Sequence, residues 1–313
     1  MKKLLLFFLL GYFAFAGISK AQDGVTTAFA FGGGMTAVDE MRYASDGDLY
    51  FVARMGGKNQ FAGVNYDAGG YGVYPLQQWI YGKVSTSGQQ TLLKVFERNV
   101  GENNLYNSMG NNHVIDKDGN LFSIMTGTFP GNDYGDGFVE TGYGAKLIKT
   151  SKTGVVQWVK PINTGVNIAY GSSGTTLPNV NGLQVMSDGS IYTIITSNNQ
   201  ITDSGSPYFE KYPTRIIKYN SSGDEVWHHE MFSGSNGLSF VVNAPKQFVA
   251  NNGSMVVNII STIDASFISQ GTTLTATHPS SFGSYYNCLM GLDNTGGKNL
   301  VSIYHLGCFA KSG

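Results

Sequence analysis

Beyond residue 35 the chain alternates apolar and polar side chains with a period of two, in runs of four to eight residues broken by polar, glycine-bearing turns. That period belongs to half-buried β-strands, and no long stretch shows the 3.6-residue period of a helix. The pattern is plainest at Lys146 to Trp158, where Lys146-Leu147-Ile148-Lys149 and Val155-Val156-Gln157-Trp158 flank a polar turn ending in Gly154. Read as a β-hairpin, the segment has a close copy at Arg215 to Trp227. Looser copies run from Gly82 through Gly88 and from Cys288 through Gly296, with Leu92 and Leu300 in the place of the tryptophan.

A second element precedes each hairpin. Asp46-Gly47-Asp48-Leu49-Tyr50, Asp118-Gly119-Asn120-Leu121-Phe122, Asp188-Gly189-Ser190-Ile191-Tyr192 and Asn252-Gly253-Ser254-Met255-Val256 each place Asp-Gly or Asn-Gly before an alternating run. This is a strong short-range hairpin signal. The glycines fall at 47, 119, 189 and 253, so the unit recurs every 72, 70 and 64 residues. Within the second unit the pattern predicts strand A near His113 to Asp116, B from Asn120 to Met125, C from Ala145 to Thr150 and D from Val155 to Pro161. Tight turns join A to B and C to D, and long irregular segments join B to C and D to the next A.

Four antiparallel strands repeated in series suit the blades of a β-propeller, whose radial packing hides the sheet faces and leaves short edges. The expectation is therefore an all-β domain over residues 22–313 built of four such blades. Four is the low end of the roughly four to eight blades that propellers use, so the pattern fits either a segment of a larger ring or a small four-bladed one. Thr27-Ala28-Phe29-Ala30-Phe31 could supply a closing outer strand, although Asn299 to Tyr304 gives the fourth unit its own strand D.

The N-terminus changes the picture of where the protein works. Met1-Lys2-Lys3, an apolar run from Leu4 to Ala16 and then Ser19-Lys20-Ala21 make the three parts of a secretory signal peptide, with cleavage expected after Ala21. The apolar run is short and Gly11 and Gly17 interrupt it, which argues against a membrane-spanning helix. No later stretch is long and apolar enough to span, so a secreted or cell-surface location is expected.

The whole chain carries 20 basic and 21 acidic residues. Removing Lys2, Lys3 and Lys20 lowers the basic count by three to 17 and leaves a net charge of about −4, no footprint for nucleic acid. Glycine reaches 42 of 313 residues, and the 18 tyrosines and 19 phenylalanines complete a composition typical of short strands and glycine-rich loops. Cys288 and Cys308 either pair or remain two partly buried thiols.

Strand alternation sorts the chain's ends. The A-to-B and C-to-D turns all fall at one end of the units, and the long connections at the other. Those connections carry Tyr66, Asp67, Tyr71 and Tyr74 in the first unit, Asp133, Tyr134, Asp136 and Tyr143 in the second, and Asp203, Tyr208, Phe209 and Glu210 in the third. Loops held on a rigid scaffold are where binding usually resides, and aromatic faces beside carboxylates suit a glycan or a peptide. The competing reading is ordinary loops whose aromatics pack back on the sheets.

Catalytic and metal motifs are sparse. Asp116-Lys117-Asp118-Gly119-Asn120 opens like a calcium loop but lacks the later oxygen ligands and closing glutamate, so it reads as a turn. His113, His228, His229, His278 and His305 show no zinc spacing. There is no nucleophile elbow and no phosphate-binding glycine loop.

The motifs Thr153-Gly154-Val155-Val156-Gln157-Trp158 and Ser222-Gly223-Asp224-Glu225-Val226-Trp227, with the Asp-Gly turns, resemble those of secreted bacterial β-propeller repeat proteins, including those with blades like the pyrroloquinoline quinone dehydrogenases. The resemblance covers most of residues 38 to 304. It implies that Trp158 and Trp227 dock one blade on another, and it assigns no role to Trp79. The adjacent cysteine pair associated with the quinone in some of those proteins is missing, so no cofactor is expected. The sequence thus points to an exported, non-enzymatic binding module for a glycan, peptide or surface protein. A propeller enzyme (quinone-dependent dehydrogenase, hydrolase or lyase) and a structural segment of a larger secreted protein are the alternatives.

Overall fold

The computed structural model describes residues 36–56, 58–67, 77–96, 112–127, 134–139, 144–162, 179–196, 201–202, 210–211, 214–233, 248–249, 255–261, 265–269, 272–276, 286–292 and 300–306. The signal peptide, Thr27 to Phe31 and Cys308 lie outside them. The described residues are all-β, without helices, and every strand pairing is antiparallel.

Four sheets follow one another along the chain. The first contains β1 (Thr36–Tyr43), β2 (Leu49–Gly56), β5 (Gln77–Val84) and β6 (Gln90–Phe96), in that spatial order. Between β2 and β5 the chain makes a small separate hairpin, β3 (Lys58–Phe61) and β4 (Val64–Asp67). The second sheet is β7 (His113–Ile115), β8 (Leu121–Gly127), β9 (Gly144–Thr150) and β10 (Val156–Pro161). The third has β11 (Asn179–Val185), β12 (Ile191–Thr196), β15 (Thr214–Tyr219) and β16 (Glu225–Ser233), with the hairpin β13 (Ile201–Thr202) and β14 (Glu210–Lys211) between its middle strands. The fourth is β17 (Phe248–Val249), β18 (Met255–Ser261), β21 (Tyr286–Leu292) and β22 (Leu300–Leu306). Its own central connection forms β19 (Ala265–Ser269) and β20 (Thr272–Ala276), which leave the fourth sheet and extend the third along β16, giving that sheet six strands.

The turns explain the repeat. Tyr43 pairs with Leu49, Ile115 with Leu121, Val185 with Ile191 and Val249 with Met255, so each A-to-B turn takes five residues. In the first three units the C-to-D turns take five as well, from Val84 to Gln90, Thr150 to Val156 and Tyr219 to Glu225. Each closes with the same two backbone bonds, as in Ser151 N–H to Val155 C=O at 2.8 Å and Gly154 N–H to Ser151 C=O at 2.9 Å. The fourth residue must then sit at positive φ, +87° for Gly154 and +80° for Gly223, a region that a Cβ makes costly. The first turn residue also caps the loop: Ser85, Ser151 and Asn220 each accept a backbone N–H four residues on.

Each sheet buries two faces. A forward face looks to the next sheet and a rear face to the preceding one. Tyr50, Val52, Trp79, Tyr81 and Phe96 on the forward face of the first sheet share a core with Ile115 and Leu121 of the second. Phe122, Ile124, Ala145 and Leu147 of the second do the same with Leu183, Ile191, Ile217 and Tyr219 of the third. Burying a large apolar side chain contributes about 1.5–3 kcal/mol, so these two shared cores bind three consecutive sheets together. The leading strands are neighbours, β1 beside β7 and β7 beside β11.

Two expectations need correction. Leu92 does not stand where Trp158 does. A β-bulge precedes Trp158 at Gln157, and it turns the tryptophan to the forward face. In β6 the bulge comes later, at Leu93, so Leu92 packs on the rear face with Phe51 and Ile80 while Leu93 joins the forward core. Leu300 is displaced for another reason. The last connection is seven residues long, Leu292 to Leu300, which puts Leu300 at the start of its strand. The third correction concerns Trp79, which is buried at 4 % exposure between the first two sheets and is a packing residue outside the repeated motif.

Candidate binding site at the long-connection end

The meander places the tight turns at one end of each sheet and the long connections at the other. Neighbouring units are oriented alike: Ser45 N–H in the first A-to-B turn donates to Lys117 C=O in the second at 2.7 Å, and Lys152 Nζ lies 3.2 Å from Asp46. The buried Tyr81 hydroxyl donates to the Gly119 carbonyl across the same junction.

At the opposite end, the first two sheets bring together a polar cluster. Asp39 occupies a bulge near the start of β1, Arg54 is near the end of β2, Trp79 near the start of β5 and His113 opens β7. Arg54 Nε donates to Asp39 Oδ1 at 2.9 Å, and Trp79 Nε1 to Asp39 Oδ2 at 3.3 Å. Burial raises the Asp39 carboxyl above its ordinary range, opposed by Arg54 and the indole. The Asp39 side chain is 3 % exposed and that of Arg54 35 %, so the guanidinium is the part of the pair that meets solvent.

His113 is buried, with Nδ1 2.9 Å from Ser123 Oγ. Burial, then the nearby Arg54 charge, lowers its pKa to about 3, which keeps the ring neutral at ordinary pH. Its Nε2 and the Oδ1 of adjacent Asn112 are buried without a hydrogen-bond partner. The pair does not form a nucleophile and base. Ser123 is 1 % exposed, so no substrate reaches its hydroxyl. Among the described residues no group of three or more His, Cys, Asp or Glu side chains is placed to hold a metal ion.

The loop residues singled out in the sequence separate into three groups. Tyr66 and Asp67 end the β4 strand of the small β3–β4 hairpin, and Glu210 begins β14. Tyr134 is 4 % exposed and packs on Ile148 and Val156, so its ring is a sheet-packing group rather than a solvated loop side chain. Asp136, at φ +56°, is fixed in place. It accepts Val156 N–H at 2.7 Å and pairs with Lys94 of the preceding sheet at 3.0 Å, and the N–H first and Lys94 second hold its carboxyl below the usual range. Tyr71, Tyr74, Asp133, Tyr143, Asp203, Tyr208 and Phe209 lie outside the described residues.

Asp39, Arg54, Trp79 and His113 escaped the sequence reading because they come from four strands with no common local spacing. The one available signal was charge and histidine at strand ends abutting long connections.

Fold and site together define a class: an all-β protein of four serial antiparallel sheets with its polar cluster at the long-connection end. No protein-family model matches the chain, and no curated protein matches it. Among the described residues no helix is long and apolar enough to cross a membrane.

Proposed function

We propose that the chain is an exported β-propeller binding module that engages a glycan, peptide or surface protein at its long-connection end without catalysing a reaction. The observation that carries this reading is the side-by-side arrangement of β1, β7 and β11 with like-oriented units, which gathers the long connections at one end. Serial four-stranded sheets in radial contact through inner strands are the propeller arrangement. The hairpins β3–β4 and β13–β14 rise from that end, and Arg54 offers a partly exposed guanidinium held in position by Asp39. Such a rigid cation suits a carboxylate or polar oxygen on a ligand.

An array of glycans and peptides tests the reading. The wild-type protein is expected to retain a discrete set of ligands, lost on Tyr66→Ala, Tyr208→Ala or Arg54→Gln and kept on Lys152→Ala or Ser221→Ala in the opposite turns. Binding that survives the first set and fails with the second would place the site at the wrong end, and no binding at all would favour a structural segment.

A further inference from the structure

The rear face of the first sheet is unlike its counterparts. Pairing aligns Met41 and Tyr43 with His113 and Ile115 in the second sheet and with Leu183 and Val185 in the third. His113, Ile115 and Leu183 are at most 9 % exposed, whereas Met41 is 66 % and Tyr43 62 % exposed. Val38, on the same face, is 49 % exposed. The outer half of this face, Phe51, Ala53, Ile80 and Val84, is capped by Phe61 of the β3–β4 hairpin, whose ring meets Phe51 edge-on at 5.3 Å. An apolar face built on the plan of two buried interfaces is thus left half open.

The central connections of later units show what such a face receives. Asp136, in the connection of the second unit, reaches back to Lys94 on the outer strand of the first. Hairpin β19–β20, in the connection of the fourth, pairs with β16, the outer strand of the third. The three residues 262–264 link β18 to β19, and four peptide steps span at most roughly 14 Å, so the fourth sheet is tethered beside the third. The forward face of the third sheet is already buried, with Tyr192, Ile194 and Ile216 at 1 % exposure or less.

Resting on the propeller reading, we propose that the rear face of the first sheet is the seat of the fourth sheet of the same chain, closing a ring of four. Val256 and Leu289 stand at the register positions of Tyr50 and Tyr81, the residues with which the first sheet meets the second. They meet Met41 and Tyr43. Hairpin β3–β4 reaches back to β22, the terminal strand of its sheet, as β19–β20 reaches β16.

Cysteines at Tyr43 and Val256, in a Cys288→Ser, Cys308→Ser background, test the seat with a short bis-maleimide. Closure predicts an intramolecular link, at monomer mass, whose yield does not change on dilution. A link between two chains would overturn the proposal in favour of a second copy, and two singly modified thiols would overturn it outright. Hydroxyl-radical footprinting of the wild-type chain guards against misfolding of the variant. Closure predicts that Met41 and Tyr43 oxidise about tenfold more slowly in the native than in the urea-unfolded chain, and native rates within about twofold of the unfolded ones would overturn it. Neither readout involves a ligand, so an open ring that still binds at the long-connection end fails this proposal and leaves the binding reading standing.

Discussion

The indole of Trp158 lies against the α-carbon of Gly223 in the next unit, so closely that a Cβ on the glycine would stand 2.8 Å from Cη2 and 2.9 Å from Cζ3. The turn thus requires glycine twice, for its φ of +80° and for the ring that covers it. Gly154 stands under the preceding unit in the same way, but there the close neighbour is the backbone carbonyl of Leu93.

This difference gives the first prediction. Gly223→Ala should destabilise by about 2–4 kcal/mol, combining positive φ with overpacking. In a Trp158→Leu background the same change should cost about 1 kcal/mol, the backbone part alone. For Gly154→Ala the corresponding Leu93→Ala background should give no relief, because a main-chain atom does the blocking. Urea midpoints of the two double-mutant cycles decide it, and equal coupling in both would contradict the assignment.

Trp227 is 7 % exposed and packs edge-on to Tyr192 at 6.0 Å, and Tyr134 is buried on Ile148 and Val156. Truncating either to alanine should cost about 3–5 kcal/mol in chemical denaturation. A near-zero change for Tyr134→Ala would return that ring to the solvated loop.

His113 predicts a pH dependence. Its folded pKa of about 3 lies below the ordinary 6.5, so between those values the unfolded chain binds the extra proton and stability falls as pH falls. The full penalty is reached below pH 3 and vanishes above 6.5. Aspartates and glutamates also titrate at the acid end, among them the neighbouring Asp39, so the informative window is pH 5 to 7. Between those limits the wild type should lose roughly 2 kcal/mol more than His113→Leu, the residue that the third sheet carries at this position in Leu183. Parallel stability curves for the two proteins would show that His113 is not buried neutral.

What the sequence made legible follows the range of the forces involved. The A-to-B turns and the first three C-to-D turns were visible because five residues and a positive-φ glycine solve a local problem, and the strands because alternation is local too. Face assignment was not. One bulge residue inverts every side chain beyond it, and whether it falls at Gln157 or at Leu93 depends on pairing with the neighbouring strand. The pairing of β19 with β16 joins residues more than 30 positions apart in different units, which no local pattern records. The Asp39, Arg54, Trp79 and His113 cluster was hidden for the same reason, since each residue alone is an ordinary strand residue.

The central claim is that ligand engages the long-connection end. Amide hydrogen exchange, compared with and without the strongest glycan or peptide from the array, reads this directly. Slowed exchange is predicted in residues 58–67, at the starts of β1 and β7 and at the end of β2, with the turns 85–89, 151–155 and 220–224 unchanged. Slowing confined to those turns would contradict the account.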